Sequence, residues 1–120
     1  MTLTSALLVA LGAAVGAPVR YLVSRGIRAR LGGTAAAGTL VVNVVGSFVL
    51  GVLVGADLGP AALALVGIGF CGALTTFSAL ALEIWDAMAD DRYPQAVANV
   101  ALSLTLGVGA AWLGWVLAAP

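Results

Sequence analysis

The sequence has no histidine, one cysteine and few charged residues, and each shortage excludes a kind of chemistry. Histidine and the HExxH, Walker and GxSxG patterns are all missing, so the usual signatures of zinc proteolysis, nucleotide hydrolysis and acyl transfer are absent. A lone cysteine, Cys71, cannot form an internal disulfide, a zinc site or a redox pair, and we expect a packed thiol. The sequence therefore predicts a protein that is not an enzyme.

Charge is also scarce, since only 8% of the 120 residues are charged while 62% are hydrophobic and the mean hydropathy is +1.16. Such a chain cannot present a soluble surface, so it is predicted to be an integral membrane protein. Its apolar runs are each near the roughly 20 residues that cross a bilayer as a helix. They predict one all-α domain over residues 1–120, with four spans near 3–24, 35–56, 61–82 and 95–118.

The first span is interpreted as retained in the mature protein, because no basic segment precedes it as in a signal peptide. The connections between spans are predicted to be short, at Arg25 to Thr34, Asp57 to Pro60 and Trp85 to Pro94. Glycines spaced four apart, Gly12/Gly16 and Gly51/Gly55, suit close helix contacts. They fit either an oligomer interface or packing within the chain, and we expect an oligomer because four helices can hardly enclose a polar route alone.

Polar residues within the spans are the candidate functional residues. Thr39, Asn43 and Ser47 follow at i, i+4 and i+8 and share one helical face, and Asn99 and Ser103 repeat the spacing in the fourth span. These two lines either flank a polar route or connect helices by hydrogen bonds.

The third span contains "GFCGALTTFSALALE", in which Gly69, Gly72, Thr75 and Thr76 lie where a helix could unwind. Carbonyls released by a break at mid-span require a partner such as a cation. The alternative interpretation is that Gly72 only permits close packing and that the threonine hydroxyls cap a turn.

Three segments, "GAPVRY" (16–21), "GTLVVNVVGSFVLG" (38–51) and "GFCGALTTFSALALE" (69–83), resemble the signature segments of the Fluc (CrcB) fluoride channels. The resemblance extends over nearly the whole chain, and it implies a multi-pass protein of the cell inner (plasma) membrane. It implies an antiparallel dimer of four-helix subunits, with the third helix broken mid-span, two narrow anion pores and a central sodium ion that is structural and not transported. By similarity, the carbonyls of Gly72 and Thr75 would ligate this sodium together with the partner's copies.

The residues also fit a route for fluoride, a small, strongly hydrated hydrogen-bond acceptor. Neutral donors allow both binding and exit, and the positive edge of an aromatic ring can assist. The predicted pore residues are Asn43, Phe77, Ser78, Ser103 and Thr39. Arg20 is predicted to lie in a vestibule and attract anions, or else to be an interfacial anchor.

Two positions depart from the family pattern. The chain has "TTFSAL" where the family usually has "TTFSTF", so Leu80 replaces a pore-lining ring, and Asn99 stands where a tyrosine is common. Both are retained as pore positions, although pore details are expected to differ there. Leu80 also leaves open a non-conducting or accessory subunit.

A small multidrug-type transporter is the other alternative, but its embedded first-span glutamate is absent. The loop regions at Arg25 to Thr34 and Trp85 to Pro94 share one side and hold four arginines, Arg25, Arg28, Arg30 and Arg92. By the positive-inside rule that side is predicted to be cytoplasmic. The bias is compatible with a heterodimer with an oppositely oriented paralogue as well as with a homodimer.

Overall fold

The computed structural model describes residues 2–32 and 35–120, and these form four membrane-length helical spans. The elements are α1 (Leu3–Leu31), α2 (Ala35–Ala56), α3 (Pro60–Ala62), a π-helix (Leu63–Cys71), α4 (Gly72–Leu74), α5 (Phe77–Ala89) and α6 (Tyr93–Ala118). The third span comprises α3, the π-helix, α4 and α5. All four predicted spans are therefore confirmed.

Helix α1 is longer than predicted and continues through most of the expected first connection. Thr2 caps its start, where the side chain accepts a hydrogen bond from the Ser5 N–H. Gly32, with φ of 58°, ends it in the left-handed conformation that glycine adopts easily. At about 1.5 Å per residue, its 29 residues extend about 43 Å, beyond the roughly 30 Å hydrocarbon layer. Residues 33 and 34 of that connection lie outside the described residues.

The third span is also longer than predicted, because α5 continues to Ala89 and leaves only a short turn before α6. Pro60 begins the span, at a position where its missing N–H costs nothing. The π-helix and α4 follow without interruption, so Gly69 and Gly72 are helical. The backbone becomes extended at Thr75 (φ −81°, ψ 156°) and Thr76 (φ −148°, ψ 120°), and helix resumes at Phe77. We call Thr75 and Thr76 the break.

The spans pack mainly in two pairs, α1 with the π-helix and α2 with α6. Glycines allow their backbones to touch: a Cβ on Gly12 would lie 1.9 Å from the Leu65 carbonyl oxygen. A Cβ on Gly51 would lie 2.0 Å from that of Ala111. Gly16 and Gly55 are equally confined by Phe70 and Trp115. These glycine pairs therefore pack helices within the chain.

The buried core is small and consists mostly of apolar side chains, including Val42, Leu74 and Cys71. Large apolar side chains instead point outward, with Val108 and Leu117 each 68% exposed on α6. An outer surface of this kind is suited to lipid rather than water, which agrees with a multi-pass membrane protein.

Candidate functional site

The break is held from α2 by the side chain of Asn43. The Thr76 N–H donates to Asn43 Oδ1 at 2.8 Å, and Asn43 Nδ2 donates to the Thr76 carbonyl at 3.1 Å. An extended residue presents its N–H and C=O on the same side, as in a β-ladder, so one amide can pair with both. The two residues thus form a small bridge between the second and third spans.

Because of this bridge, backbone carbonyls near Thr76 no longer accept the hydrogen bonds that they would accept in a continuous helix. In a continuous helix the Thr76 N–H would donate to Gly72 and the Ala79 N–H to Thr75. Here Thr76 bonds Asn43, and the Ala79 N–H donates to Thr76 Oγ1 at 3.2 Å. The carbonyls of Gly72 and Thr75 therefore lose their usual helical donors to side chains.

Helix polarity gives the break two electrostatic ends. The helical segment before it ends at Leu74, and a helix C-terminus carries partial negative charge. Helix α5 starts at Phe77 with partial positive charge and free N–H groups. The carbonyls of Gly72 and Thr75 therefore lie where a cation is favoured. Phe77 and Ser78, both exposed, lie where an anion is favoured.

A cavity of about 330 Å³ adjoins the break and contains several of the predicted site residues. Asn43, Phe77, Gly72 and Thr75 all line it, as does Ser47 of the polar line on α2. Among the described residues, no three His, Cys, Asp or Glu side chains are grouped to hold a metal. A cation bound here would therefore depend on backbone carbonyl oxygens, ligands suited to a hard ion.

A second polar group lies toward the arginine-bearing end of the molecule. Thr39 is 6% exposed, and its hydroxyl donates to Glu83 Oε1. Glu83 Oε2 is buried without a hydrogen-bond partner among the described residues. Glu83 and Asn99 line one cavity of about 460 Å³, together with Arg92. Ser103 donates to Asn99 Oδ1 at 3.3 Å, so these two residues of α6 are hydrogen-bonded to each other.

The predicted site residues therefore fall into two groups rather than one line. Asn43 and Phe77 lie at the break, whereas Thr39, Asn99 and Ser103 lie toward Glu83. Gly72 and Thr75 also line the cavity at the break, whereas Ser78, Leu80 and Arg20 line neither of these two cavities. Arg20 is half-buried on α1, well before the end of that helix because the helix continues to Leu31.

Sequence reasoning missed Glu83 as a site residue because the third span was predicted to end at residue 82. The observed span continues to Ala89 and includes it. An ionisable residue in a membrane span is a candidate functional residue by default, and that signal was available in the sequence. The pairing of Asn43 with Thr76 had no sequence signal, because the partners are 33 residues apart.

Four apolar spans with a polar, non-helical backbone in the third define a multi-pass membrane protein of the kind that transports ions. The chain belongs to the CrcB family, since the family model described as "CrcB-like protein, Camphor Resistance (CrcB)" matches residues 7–115.

Curated relatives carry names that describe ion channels. The chain is 48% identical over 105 residues to "Fluoride-specific ion channel FluC 1" of Nocardia farcinica, covering 88% of this chain and 74% of the relative. It is 44% identical over 109 residues to "Fluoride-specific ion channel FluC 2" of Rhodococcus jostii, covering 91% and 94%. It is 46% identical over 109 residues to "Fluoride-specific ion channel FluC 1" of Geobacillus kaustophilus, covering 91% and 93%. An ion-channel family is not an enzyme class, and the resemblance read from the three segments is confirmed.

Proposed function

We propose that the chain is a subunit of a passive, fluoride-selective channel that lets cytoplasmic fluoride leave the cell. The observation that carries this proposal is the break, where the positive end of α5 and neutral hydrogen-bond donors lie together within a membrane span. Homology to proteins named fluoride-specific ion channels supports fluoride as the permeant ion.

Neutral donors at the break suit a small, strongly hydrated anion. Asn43 uses one amide hydrogen on Thr76, which leaves the second for a passing ion. Phe77 is 81% exposed and can offer its positive ring edge, and the exposed Ser78 hydroxyl is a further donor. Binding that replaces hydration without a fixed positive charge permits exit, as conduction requires.

A structural sodium ion is part of this proposal, with the carbonyls of Gly72 and Thr75 as ligands from each subunit. Both carbonyls have lost their helical donors, and both lie at the negative end of a helix. When bound, sodium would supply positive charge that compensates these oxygens. The protein's part is to keep the two carbonyls oriented and free.

An antiparallel dimer would cover this region. Gly72 and Phe77 are exposed, and a Cβ on Gly72 would meet only the Gly67 carbonyl oxygen, at 4.0 Å. Polar backbone at this depth is stable only when it is buried in protein or lines a water-filled cavity. A second subunit related by a two-fold axis in the membrane plane meets the first at mid-depth. That partner is either another copy of the chain or a paralogue that inserts with opposite orientation.

Outward flux would confer fluoride resistance. Hydrogen fluoride is a weak acid that enters as the neutral molecule and ionises inside, so a passive channel lets the trapped anion leave. Deleting the gene should therefore sensitise cells to fluoride in acidic medium.

Liposome flux tests the proposal. Purified protein, alone and with any paralogue, is reconstituted into vesicles loaded with fluoride, and release is followed with an ion-selective electrode. We expect rapid fluoride release and no chloride release from matched chloride-loaded vesicles. If no subunit combination releases fluoride, channel function is contradicted, and the accessory-subunit interpretation that Leu80 left open is favoured.

A small multidrug-type transporter remains a second outcome of the same assay. The third helical span does contain one acidic side chain with a buried oxygen, Oε2 of Glu83. Its position differs from the first-span glutamate that such transporters use. Proton-coupled release of an organic cation would support that class; its absence, with fluoride release present, would exclude it.

A further inference from the structure

The side chain of Asn43 controls which acceptor the Thr76 N–H uses. We infer that Asn43 is a positioning residue for the cation site: by accepting from Thr76, it prevents the Gly72 carbonyl from being recaptured by the helix. This inference rests on the proposed sodium site and assigns one residue on α2 the role of keeping a ligand on α4 available.

The geometry supports a specific role in positioning. Asn43 makes both of its bonds to a single residue, at 2.8 and 3.1 Å, and that pairing requires Thr76 to be extended. In a helix, the N–H and C=O of one residue point in opposite directions, so a single amide could not bond both. Asn43 thus selects the extended conformation of the break.

The other residue of the break is held locally. Thr75 donates to the Cys71 carbonyl from its backbone N–H at 3.0 Å and from Oγ1 at 2.9 Å. Thr75 thus remains attached to the preceding helical turn. Thr76 is the residue whose N–H is held from another span, so loss of Asn43 acts on Thr76 first.

Loss of the Asn43 acceptor would leave the Thr76 N–H unsatisfied inside the membrane, which is unfavourable. The acceptor that a helix offers this N–H is the carbonyl four residues earlier, on Gly72. Bonding between them would extend the helix through Thr76 and remove one ligand from the cation site. Anion conduction and cation binding would thereby be linked through one side chain.

The experiment measures how sodium stabilises the purified dimer. Dimer retention in detergent is followed by size-exclusion chromatography while N-methylglucamine replaces sodium, which gives a sodium midpoint. We expect Asn43→Ala to raise this midpoint at least tenfold. Val45→Ala, at an exposed position on the same helix, is the control and should leave it unchanged.

A backbone substitution separates positioning from a merely structural role. Replacing the Thr76 amide by an ester, through incorporation of the α-hydroxy acid, removes the N–H that would capture Gly72. Because the carbonyl joined to this ester is that of Thr75, itself a proposed ligand, the reference is the same ester with Asn43 present. Against that reference, Asn43→Ala should change the sodium midpoint by less than about threefold. General loss of stability would not be repaired by deleting another hydrogen bond.

The outcomes distinguish this inference from the function on which it depends. If retention of the wild-type dimer does not depend on sodium, the proposed sodium site is wrong, whether or not the protein conducts fluoride. A sodium-dependent wild type with an unchanged midpoint in Asn43→Ala would overturn the inference alone. If Asn43→Ala yields no dimer, recovery of a sodium-dependent dimer with the ester supports the inference. Failure to recover it, when the ester with Asn43 present still gives a sodium-dependent dimer, overturns the inference.

Discussion

At the scale of the residue, Phe77 allows the anion route to be tested with little effect on folding. Its side chain is 81% exposed, so Phe77→Ile removes the ring edge while leaving the core intact. An aromatic contact contributes about 0.5–1.5 kcal/mol, and 1.4 kcal/mol corresponds to about tenfold in rate. We expect about tenfold slower fluoride release from liposomes and an unchanged elution volume of the dimer.

Ser78→Ala is the matched comparison for this variant, since it removes a neighbouring exposed hydroxyl and should slow release less. Normal release by Phe77→Ile, with the dimer intact, would remove the ring from the proposed route.

Thr39 presents a different case, because the structure assigns its hydroxyl to Glu83 rather than to a passing ion. Thr39→Val should leave the carboxylate with a second unpartnered oxygen and lower stability by about 2 kcal/mol, the typical cost of a buried polar group that loses its partner. Thermal unfolding in detergent measures this effect.

Thr39→Ser is the control, since it keeps the hydroxyl and should retain most of the stability. Equal melting temperatures for the valine and serine variants would show that the bond to Glu83 contributes little.

At the scale of the element, the break depends on close contact between α2 and the third span. A Cβ on Gly46 would lie 2.3 Å from Thr75 Cγ2, and the Thr75 side chain cannot rotate away without losing the Oγ1 hydrogen bond to the Cys71 carbonyl. Gly46→Ala should therefore displace the break, reducing fluoride release at least about tenfold and weakening the dimer, since misplacement of about 1 Å can cost a hundredfold at a site that depends on geometry. Liposome flux and size-exclusion chromatography provide the two measurements.

Gly26→Ala is the control for that substitution, because a Cβ there meets nothing within 4 Å. Wild-type release by both alanine variants would show that the break tolerates displacement.

The sequence predicts that four helical spans exist. It predicts less well where the helices end and where the break lies. Apolar run length predicts all four spans, yet α1 and α5 continue into charged turns, because arginines and acidic residues are stable in a helix once it leaves the hydrocarbon layer. Gly69 and Gly72 are weak helix formers, yet both remain helical, whereas Thr75 and Thr76 are extended. The weak helix propensity of threonine agrees with the position of the break. The bonds from Asn43 that hold Thr76 come from another span, and local propensity carries no information about them.

The sequence allowed us to predict which residues form the candidate site, but not which residues they bond to. Asn43 and Phe77 were identified as polar or ring-bearing positions and do line one cavity with Gly72 and Thr75. Spacing suggested that Thr39 and Asn43 serve one route, whereas they bond to different parts of the third span. Tertiary partners of this kind are set by helix packing, which a single sequence does not specify.

At the scale of the whole molecule, charge is distributed unequally between the two membrane surfaces. Arg92 and the start of α2 line one cavity, so Arg92 lies at the same end of the molecule as Arg25, Arg28 and Arg30 near the end of α1. The opposite surface has no lysine or arginine in the sequence. We expect both chain termini to lie outside the cytoplasm, and C-terminal reporters active on only one side of the membrane should signal mainly from the outer side.

Comparable signals on both sides would instead indicate dual insertion and favour a homodimer. Purification of this chain alone as a fluoride-conducting dimer would remove the need for a paralogue.

The pairing of α1 with the third span and of α2 with the fourth constrains how the protein is made. Spans enter the membrane in sequence order, so the surfaces of α1 and α2 that contain Gly12 and Gly51 meet lipid before their partners have been synthesised. The first two helices must therefore lie in the bilayer before either has its main packing partner. Insertion of the third span supplies the partner of α1 only. Final assembly of the subunit becomes possible only when α6 leaves the insertion machinery.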